Sequence, residues 1–244
     1  MASAMKIRIK FRKYGVMKFI GHLDIMRYFQ KAMRRADIDI CYSTGFSPHM
    51  IMSFAAPLGV GITSDGEYFD IEVNSTKSSA EAMKALNDTM VEGVEISGYV
   101  LLPDNAKTAM SIVAAADYEL SFKDGYDVPA SKEAFETAIE AFFTNVKEVI
   151  ITKQTKKSEK TMDLKPLVYD FSMREKEGNP VFYLKLSTGS NDNVKPELVV
   201  EALFDHMGLN YKPSAIQIHR IDVYAAGDTV NSFISLGDMG NVIL

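Results

Sequence analysis

Lys6-Ile7-Arg8-Ile9-Lys10-Phe11-Arg12 alternates basic with apolar residues over seven consecutive positions. A period of two marks a strand with one buried face, so Ile7, Ile9 and Phe11 turn to a core while Lys6, Arg8, Lys10 and Arg12 form the opposite row. The elements C-terminal to this strand decide the fold. A helix is expected from about Gly21 to Ala36, then short strands near Ile38–Tyr42 and Glu67–Val73 with a Gly/Pro-rich loop system between them. Ser78 or Ser79 opens a second helix, Ala80–Met90, with Glu81 in the first turn, where the helix dipole favours a carboxylate. Gly93 ends that helix, and Val94–Leu102 is expected as a closing strand before Pro103.

The same order recurs beyond Pro103–Ile112. Ala115–Phe122 is expected as a strand, and Ser131 caps a helix to Asn145 that sets Phe135, Ile139 and Phe142 at helical spacing. Strands at Glu148–Lys153 and Val181–Ser187, a helix at Pro196–His206 and a strand at Ser214–Tyr224 complete the set, with Thr161–Met173 as an extra strand. Two β-α-β-β-α-β units predict an α+β protein: two tandem ferredoxin-like domains with antiparallel sheets. The expected boundaries are 1–103 and 113–226, then a tail, 227–244, whose apolar residues Phe233, Leu236 and Ile243 predict docking.

Composition narrows the function classes. The 244 residues are 47% apolar and 24% charged, which excludes wholesale disorder and supports two cores. A single cysteine, Cys41, excludes a disulfide framework, a Cys-based zinc site and a Cys-ligated iron–sulfur cluster within this chain. No apolar run reaches the ~18 residues of a membrane span, and Met1-Ala2-Ser3-Ala4-Met5 lacks a signal-peptide core, so a cytoplasmic protein without membrane contact is expected. The net charge of −5 is unevenly spread: residues 1–50 carry +7 and residues 51–149 carry −11. An acidic chain of this kind can still present a local positive surface.

On a wheel of ~100° per residue, Ile25, Met26, Phe29, Ala32, Met33 and Ala36 share one face of the first helix. Arg27, Lys31, Arg34 and Arg35 share the other, a cationic ridge suited to phosphates. His22 falls toward the packed side at the N-terminus, where the dipole favours a neutral imidazole. The loop Tyr42-Ser43-Thr44-Gly45-Phe46-Ser47-Pro48-His49 offers Ser43 and Ser47 as hydroxyl donors and Phe46 as a stacking ring for a base. Ala56-Pro57-Leu58-Gly59-Val60-Gly61 lacks the Lys and third glycine of nucleotide fingerprints. Glu67 and Asp70 with His22 and His49 contain ligand chemistry, but no helical His-x-x-x-His or Glu-x-x-His pair exists, so neither metal nor cofactor is expected.

Lys13-Tyr14-Gly15, Lys18-Phe19-Ile20-Gly21-His22-Leu23-Asp24, Arg34-Arg35-Ala36, Tyr42 through His49, Pro57-Leu58-Gly59-Val60-Gly61 and Glu67 together resemble the signature of the radical-SAM-linked protein family, a domain of unknown function. The resemblance is strong over residues 6–73 and looser through Arg220, which matches the family's closing Ile-x-Arg strand. It implies a stand-alone accessory form, a radical-SAM-type partner protein and a context of RNA metabolism, and it assigns no catalytic residue. The tandem order is also similar to that of the CRISPR repeat-processing ribonucleases, which often use a histidine near the first helix.

Three functions are therefore expected as alternatives. The leading one is a non-catalytic accessory protein that binds tRNA or rRNA through Lys10, Arg12, Arg27, Lys31, Arg34, Arg35, Ser43, Phe46 and Ser47. The second is a metal-independent RNA endonuclease built on His22 or His49, with Tyr28, Tyr42 or Lys31 nearby. The third is a protein-interaction subunit without RNA contact.

Overall fold

In the computed structural model, residues 4–154, 159–189 and 192–244 are described; Met1-Ala2-Ser3, of the stretch expected to lack a signal-peptide core, lie outside them. The chain divides into two units, Met1–Ala114 with Arg220–Leu244, and Ala115–His219. Both are α+β with antiparallel strand pairs.

The first unit begins with β1 (Met5–Lys13), a 3-10 turn at Gly15–Phe19 and α1 (His22–Arg35). It continues through β2 (Met52–Phe54), β3 (Thr63–Val73), α2 (Ser79–Asn87), β4 (Val94–Leu101) and α3 (Ala109–Ile112). β1 lies between β4 and β3, and β2 pairs with β3. The register sets Ile7 against Ile71, Ile9 against Phe69 and Phe11 against Glu67. Those residues form the row beneath α1, while Arg8 faces Asp70 and Lys10 faces Tyr68 in the opposite row.

α1 forms because its apolar residues recur at helical spacing and its ends suit the dipole, with Asp24 in the first turn and Arg34 and Arg35 in the last. Ile25, Phe29, Ala32 and Met33 are buried, with Phe29 4.8 Å from Phe11 and 4.7 Å from Phe69 between ring centres. Burial of one such ring contributes up to about 3 kcal/mol. α2 starts at a capping box in which the Ser78 hydroxyl accepts from the Glu81 N–H and the Glu81 carboxylate accepts from the Ser78 N–H.

Ile38–Tyr42 departs from its expected form. It makes only isolated bridges, Ile40 to Val73 and Tyr42 to Met50, and the paired strand is β2. Asp37 sits in the left-handed region at φ 54°, and the Asp39 carboxylate accepts from Asn74 and Ser75, so the chain turns here instead of running straight.

The second unit holds β5 (Val113–Phe122), α4 (Lys132–Ile139) with a π-helical turn at Glu140–Thr144, β6 (Ile150–Gln154), β7 (Glu159–Asp163), β8 (Val168–Lys176), β9 (Asn179–Ser187) and α5 (Pro196–His206). β9 pairs with β5 and with β8. The strand beside β9 is thus Val168–Lys176 and not the expected Glu148–Lys153; β6 and β7 form a separate two-stranded sheet. The extra strand expected at Thr161–Met173 is broken by a 3-10 turn at Lys165–Leu167, where Pro166 removes a ladder donor. Phe135, Phe182 and Phe204 centre the core, with Phe135 and Phe182 4.9 Å apart.

β10 (Ile216–Ala226) belongs to the first unit from Arg220 onward, and β11 (Phe233–Ser235) pairs with its end. The boundary expected after residue 226 falls after 219 instead, because Arg220 and Asp222 bind Glu67, Lys10 and Tyr68. The tail docks within the first unit. Asn241 and Leu101 exchange backbone hydrogen bonds, the Ser79 N–H donates to the Ile243 carbonyl, and Leu236 is buried.

Candidate functional site

In the row Glu67, Phe69, Ile71, Val73, one carboxylate stands where an apolar residue is expected, and it is buried. Its partner is Arg220: Nε donates to Oε1 and a terminal nitrogen to Oε2, each at 2.7 Å, and the same nitrogen donates to the Ala56 carbonyl at 3.0 Å. Such a bidentate pair is among the stronger hydrogen-bonded arrangements. A register shift at the end of β1 brings in Lys13, whose ammonium donates to the Ile20 carbonyl at 2.6 Å and so fixes the turn that leads into α1. Burial lowers the Lys13 pKa, the nearby Glu67 charge opposes this, and Arg220 adds to it.

His22 packs edge-on against Phe54, 5.4 Å between ring centres. Burial, first, lowers its pKa from 6.5, with Glu67 opposing and Lys13 assisting. Lys13, His22, Phe54, Leu58 and Glu67 enclose a space of about 10 Å3, enough for about one water molecule. Residues of four separated sequence motifs therefore meet here, but the Glu67 carboxylate is occupied by Arg220 and the space admits no substrate. This cluster holds the start of α1 and the loop near Ala56 in place.

The motifs contain Glu67 and Arg220 without revealing that they pair. A signal for the pairing is nonetheless present: each puts a charge into an apolar row of a strand, Ile216-x-Ile218-x-Arg220 and Glu67-x-Phe69-x-Ile71, and opposite charges in two buried rows have each other as natural partners.

The outward row of β1 is committed internally. Arg8 is buried against Asp70, with Nε–Oδ1 2.8 Å and a second contact of 3.1 Å. Lys10 pairs with Asp222 at 3.2 Å, and Arg12 reaches both Asp65 at 2.8 Å and Glu95 at 3.1 Å. Lys6 donates to the Asp104 carbonyl. Lys10 and Arg12, expected as phosphate contacts, thus direct their charge to carboxylates of their own unit.

The ridge on α1 differs. Arg27, Lys31, Arg34 and Arg35 are all exposed. Arg27 meets Asp24 at 3.3 Å on the surface, where such a pair contributes little, and Arg35 lies 6.0 Å from the Tyr28 ring centre. Among the described residues, Lys31, Arg34 and Arg35 have no carboxylate partner. Tyr28 is engaged with Val91 and Met90, away from His22.

The 42–50 segment is a closed hairpin. The Ser43 N–H donates to the His49 carbonyl, the His49 N–H donates to Ser43 Oγ at 3.1 Å, and Ser43 Oγ lies 2.8 Å from His49 Nδ1. Ser43 and His49 therefore fix the loop, while Phe46 and Ser47 stand exposed at its tip, with Gly45 at φ 110° supplying the turn. His22 and His49 share no contact. Among the described residues, no three of His, Cys, Asp and Glu gather to hold a metal, and no helix is long and apolar enough to cross a membrane.

These observations define an α+β protein whose first unit lays a basic helix over an antiparallel sheet. Residues 6–196 match the family described as "Uncharacterized protein conserved in bacteria (DUF2344)", and the chain belongs to that family. No curated protein matches it. Among solved structures, it is similar to a chain from "Crystal Structure of a Cbf5-Nop10-Gar1 Complex", with 11% identity and TM-score 0.44 over 89% of this chain and 48% of that one. The chain thus spans about half the length of that neighbour. It is also similar to an unknown protein from Galdieria sulphuraria, with 12% identity and TM-score 0.24 over 89% of this chain and 98% of that one.

Proposed function

We propose that this protein is a non-catalytic RNA-binding module that holds tRNA or rRNA on the exposed face of α1 and presents it to a radical-SAM-type enzyme. We also propose that each unit is a ferredoxin-like domain, the two in tandem. The observation that carries the functional reading is the set of exposed cations on α1, three of them without a carboxylate partner among the described residues, on a helix whose other face is locked into the core. Phe46 at the hairpin tip supports it as a ring on which an unpaired base can stack. The enzyme partner rests on the family resemblance.

The test is fluorescence anisotropy against bulk tRNA and a ribosomal RNA fragment. Three phosphate contacts, from Lys31, Arg34 and Arg35, the cations of the ridge without a carboxylate partner among the described residues, predict a log–log salt slope of about −2.7, or roughly a 40-fold loss between 50 and 200 mM salt. Reversing Arg27, Arg34 and Arg35 to Glu removes binding. Salt-independent binding, or none at low salt, refutes the reading.

A second reading, a docking subunit for protein without RNA contact, is favoured by Val16, Phe19 and Leu23, which are exposed at the entry to α1. Co-purification of a partner that survives the same charge reversal, with no RNA retained, selects it. The nuclease alternative gains no comparable support, since His22 packs against Phe54 and His49 closes a hairpin.

A further inference from the structure

At the C-terminal end of α1, the first unit opens into a cavity of about 590 Å3, within the ~300–1,000 Å3 range of small-ligand sites. Arg34, Asp39, Tyr42 and Lys77 line it, together with the buried Ile40 and Met50. We infer that this cavity is the seat of one unpaired guanine base of the bound RNA. The inference deepens the RNA-binding reading and rests on it.

Four observations converge. Tyr42 lines the cavity while exposing nearly half of its surface, and an accessible aromatic ring is a group on which a base can stack. Arg34 lines the cavity and also belongs to the ridge, so a backbone bound along α1 passes the opening. Arg34 and Lys77 are balanced by Asp37 and Asp39, so the walls suit a neutral base better than a lone phosphate, which the acidic pair would repel.

The fourth is the state of Asp39. Its Oδ1 accepts from Asn74 Nδ2 at 3.0 Å and its Oδ2 from Ser75 Oγ at 2.7 Å, which fixes the plane of the carboxylate. Those two bonds, with a smaller contribution from the Ser75 backbone, also hold its pKa below the ordinary value, so it is an ionised acceptor with one side-chain donor on each oxygen. Of the four RNA bases, guanine alone presents two adjacent donors, N1–H and the N2 amino group, that meet both oxygens of one carboxylate. Adenine and cytosine present one amino group beside an acceptor, and uracil one imide N–H flanked by carbonyls. A correct bidentate contact discriminates by about tenfold or more.

The experiment uses labelled pentanucleotides UUGUU, UUAUU and UUUUU on the full chain at low salt, with GMP and UMP titrated by calorimetry and inorganic phosphate as a control. The expected result is UUGUU bound at least tenfold tighter than the others, and GMP tighter than UMP or phosphate. Asp39→Asn, checked for an unchanged melting curve, brings UUGUU to parity with UUAUU while the salt slope stays. Tyr42→Ala weakens all three pentamers. Equal binding of the pentamers overturns the inference and leaves the RNA reading standing. A guanine preference that survives in both Asp39→Asn and Tyr42→Ala overturns the assignment to this cavity. GMP bound selectively with no pentamer bound overturns the RNA reading and keeps a guanine site; binding of neither overturns both.

Discussion

Replacing Arg220 by Met removes the guanidinium from Glu67 while keeping most of the aliphatic stem. The side chains are 4% and 6% exposed, so the carboxylate left behind has almost no access to water. The hydrogen bonds of 2.7–3.0 Å to both Glu67 oxygens and to the Ala56 carbonyl disappear. Breaking a buried pair from one side typically costs about 3–5 kcal/mol, mainly through the uncompensated charge. The ammonium of Lys13 lies close enough to influence Glu67, which places the expected loss toward the lower end, about 3 kcal/mol. With a urea dependence of about 2 kcal/mol per molar, the midpoint falls by about 1.5 M. The assay is equilibrium urea unfolding followed by far-UV circular dichroism, in a cycle with Glu67→Leu and the double variant. The double variant is expected to recover at least half of the loss, since two apolar side chains need no counter-charge. A loss below about 1 kcal/mol in Arg220→Met, or additive single and double effects, refutes the claim that the pair is energetically coupled.

Other outcomes concern single residues. Phe46→Ala leaves the urea midpoint unchanged, because the ring is fully exposed to solvent, but weakens single-stranded RNA binding by about 1–3 kcal/mol in an anisotropy titration. Gly93→Ala costs about 1–3 kcal/mol in thermal or urea unfolding: its φ is 96°, and a Cβ there stands 2.7 Å from the Tyr14 carbonyl and from Met17 Cγ. His22 gives a pH signature. Its folded pKa is depressed below 6.5, chiefly by burial, so the unfolded ring takes up a proton first and stability declines as pH falls below 6.5 toward the folded value. His22→Gln is expected to flatten that decline when unfolding is compared at pH 7.5 and 5.5; an identical slope in the variant counts against a half-buried neutral ring.

Much of the first unit is legible from local pattern. The alternation in β1, the apolar stripe of α1 and the Ser78–Glu81 box each identify an element because the signal lies within a few residues of itself. Non-local pairing is what escapes. The Ile38–Tyr42 segment has strand-like composition, but the hydrogen bonds from Asn74 and Ser75 to Asp39, 35 and 36 residues away in sequence, turn it aside. In the second unit, Glu148–Lys153 and Val168–Lys176 both suit a strand, and only pairing to β9 selects the latter. The site divides the same way. The exposed face of α1 is readable on a wheel, whereas the use of Lys10 and Arg12 depends on which carboxylates arrive opposite them from Asp65, Glu95 and Asp222.

That internal pairing changes what the charge map means. The acidic block after residue 50 is not simply an acidic surface, because Asp65, Glu67, Asp70 and Glu95 are engaged with Arg12, Arg220 and Arg8. The cations Arg8, Lys10 and Arg12 of β1 are correspondingly engaged by carboxylates of their own unit, and among the described residues the unpaired positive charge of this block is concentrated on α1. Release of counterions is what makes binding salt-dependent, and a cation already paired to a carboxylate adds nothing to the slope on meeting a phosphate. Replacing Lys31, Arg34 and Arg35 by Gln should therefore reduce the slope by about 2.7, or about 0.9 for each phosphate that is no longer neutralised. Lys10→Gln with Arg12→Gln should leave the slope within about 0.5 of wild type, and their effect should appear in unfolding instead, as a loss of about 1 kcal/mol or more, since the Arg12 pairs are half-exposed and the Lys10–Asp222 pair is largely buried. If the β1 variants lower the slope as much as the α1 variants do, the ion pairs open on binding, and the interface is the outward face of the sheet rather than the helix.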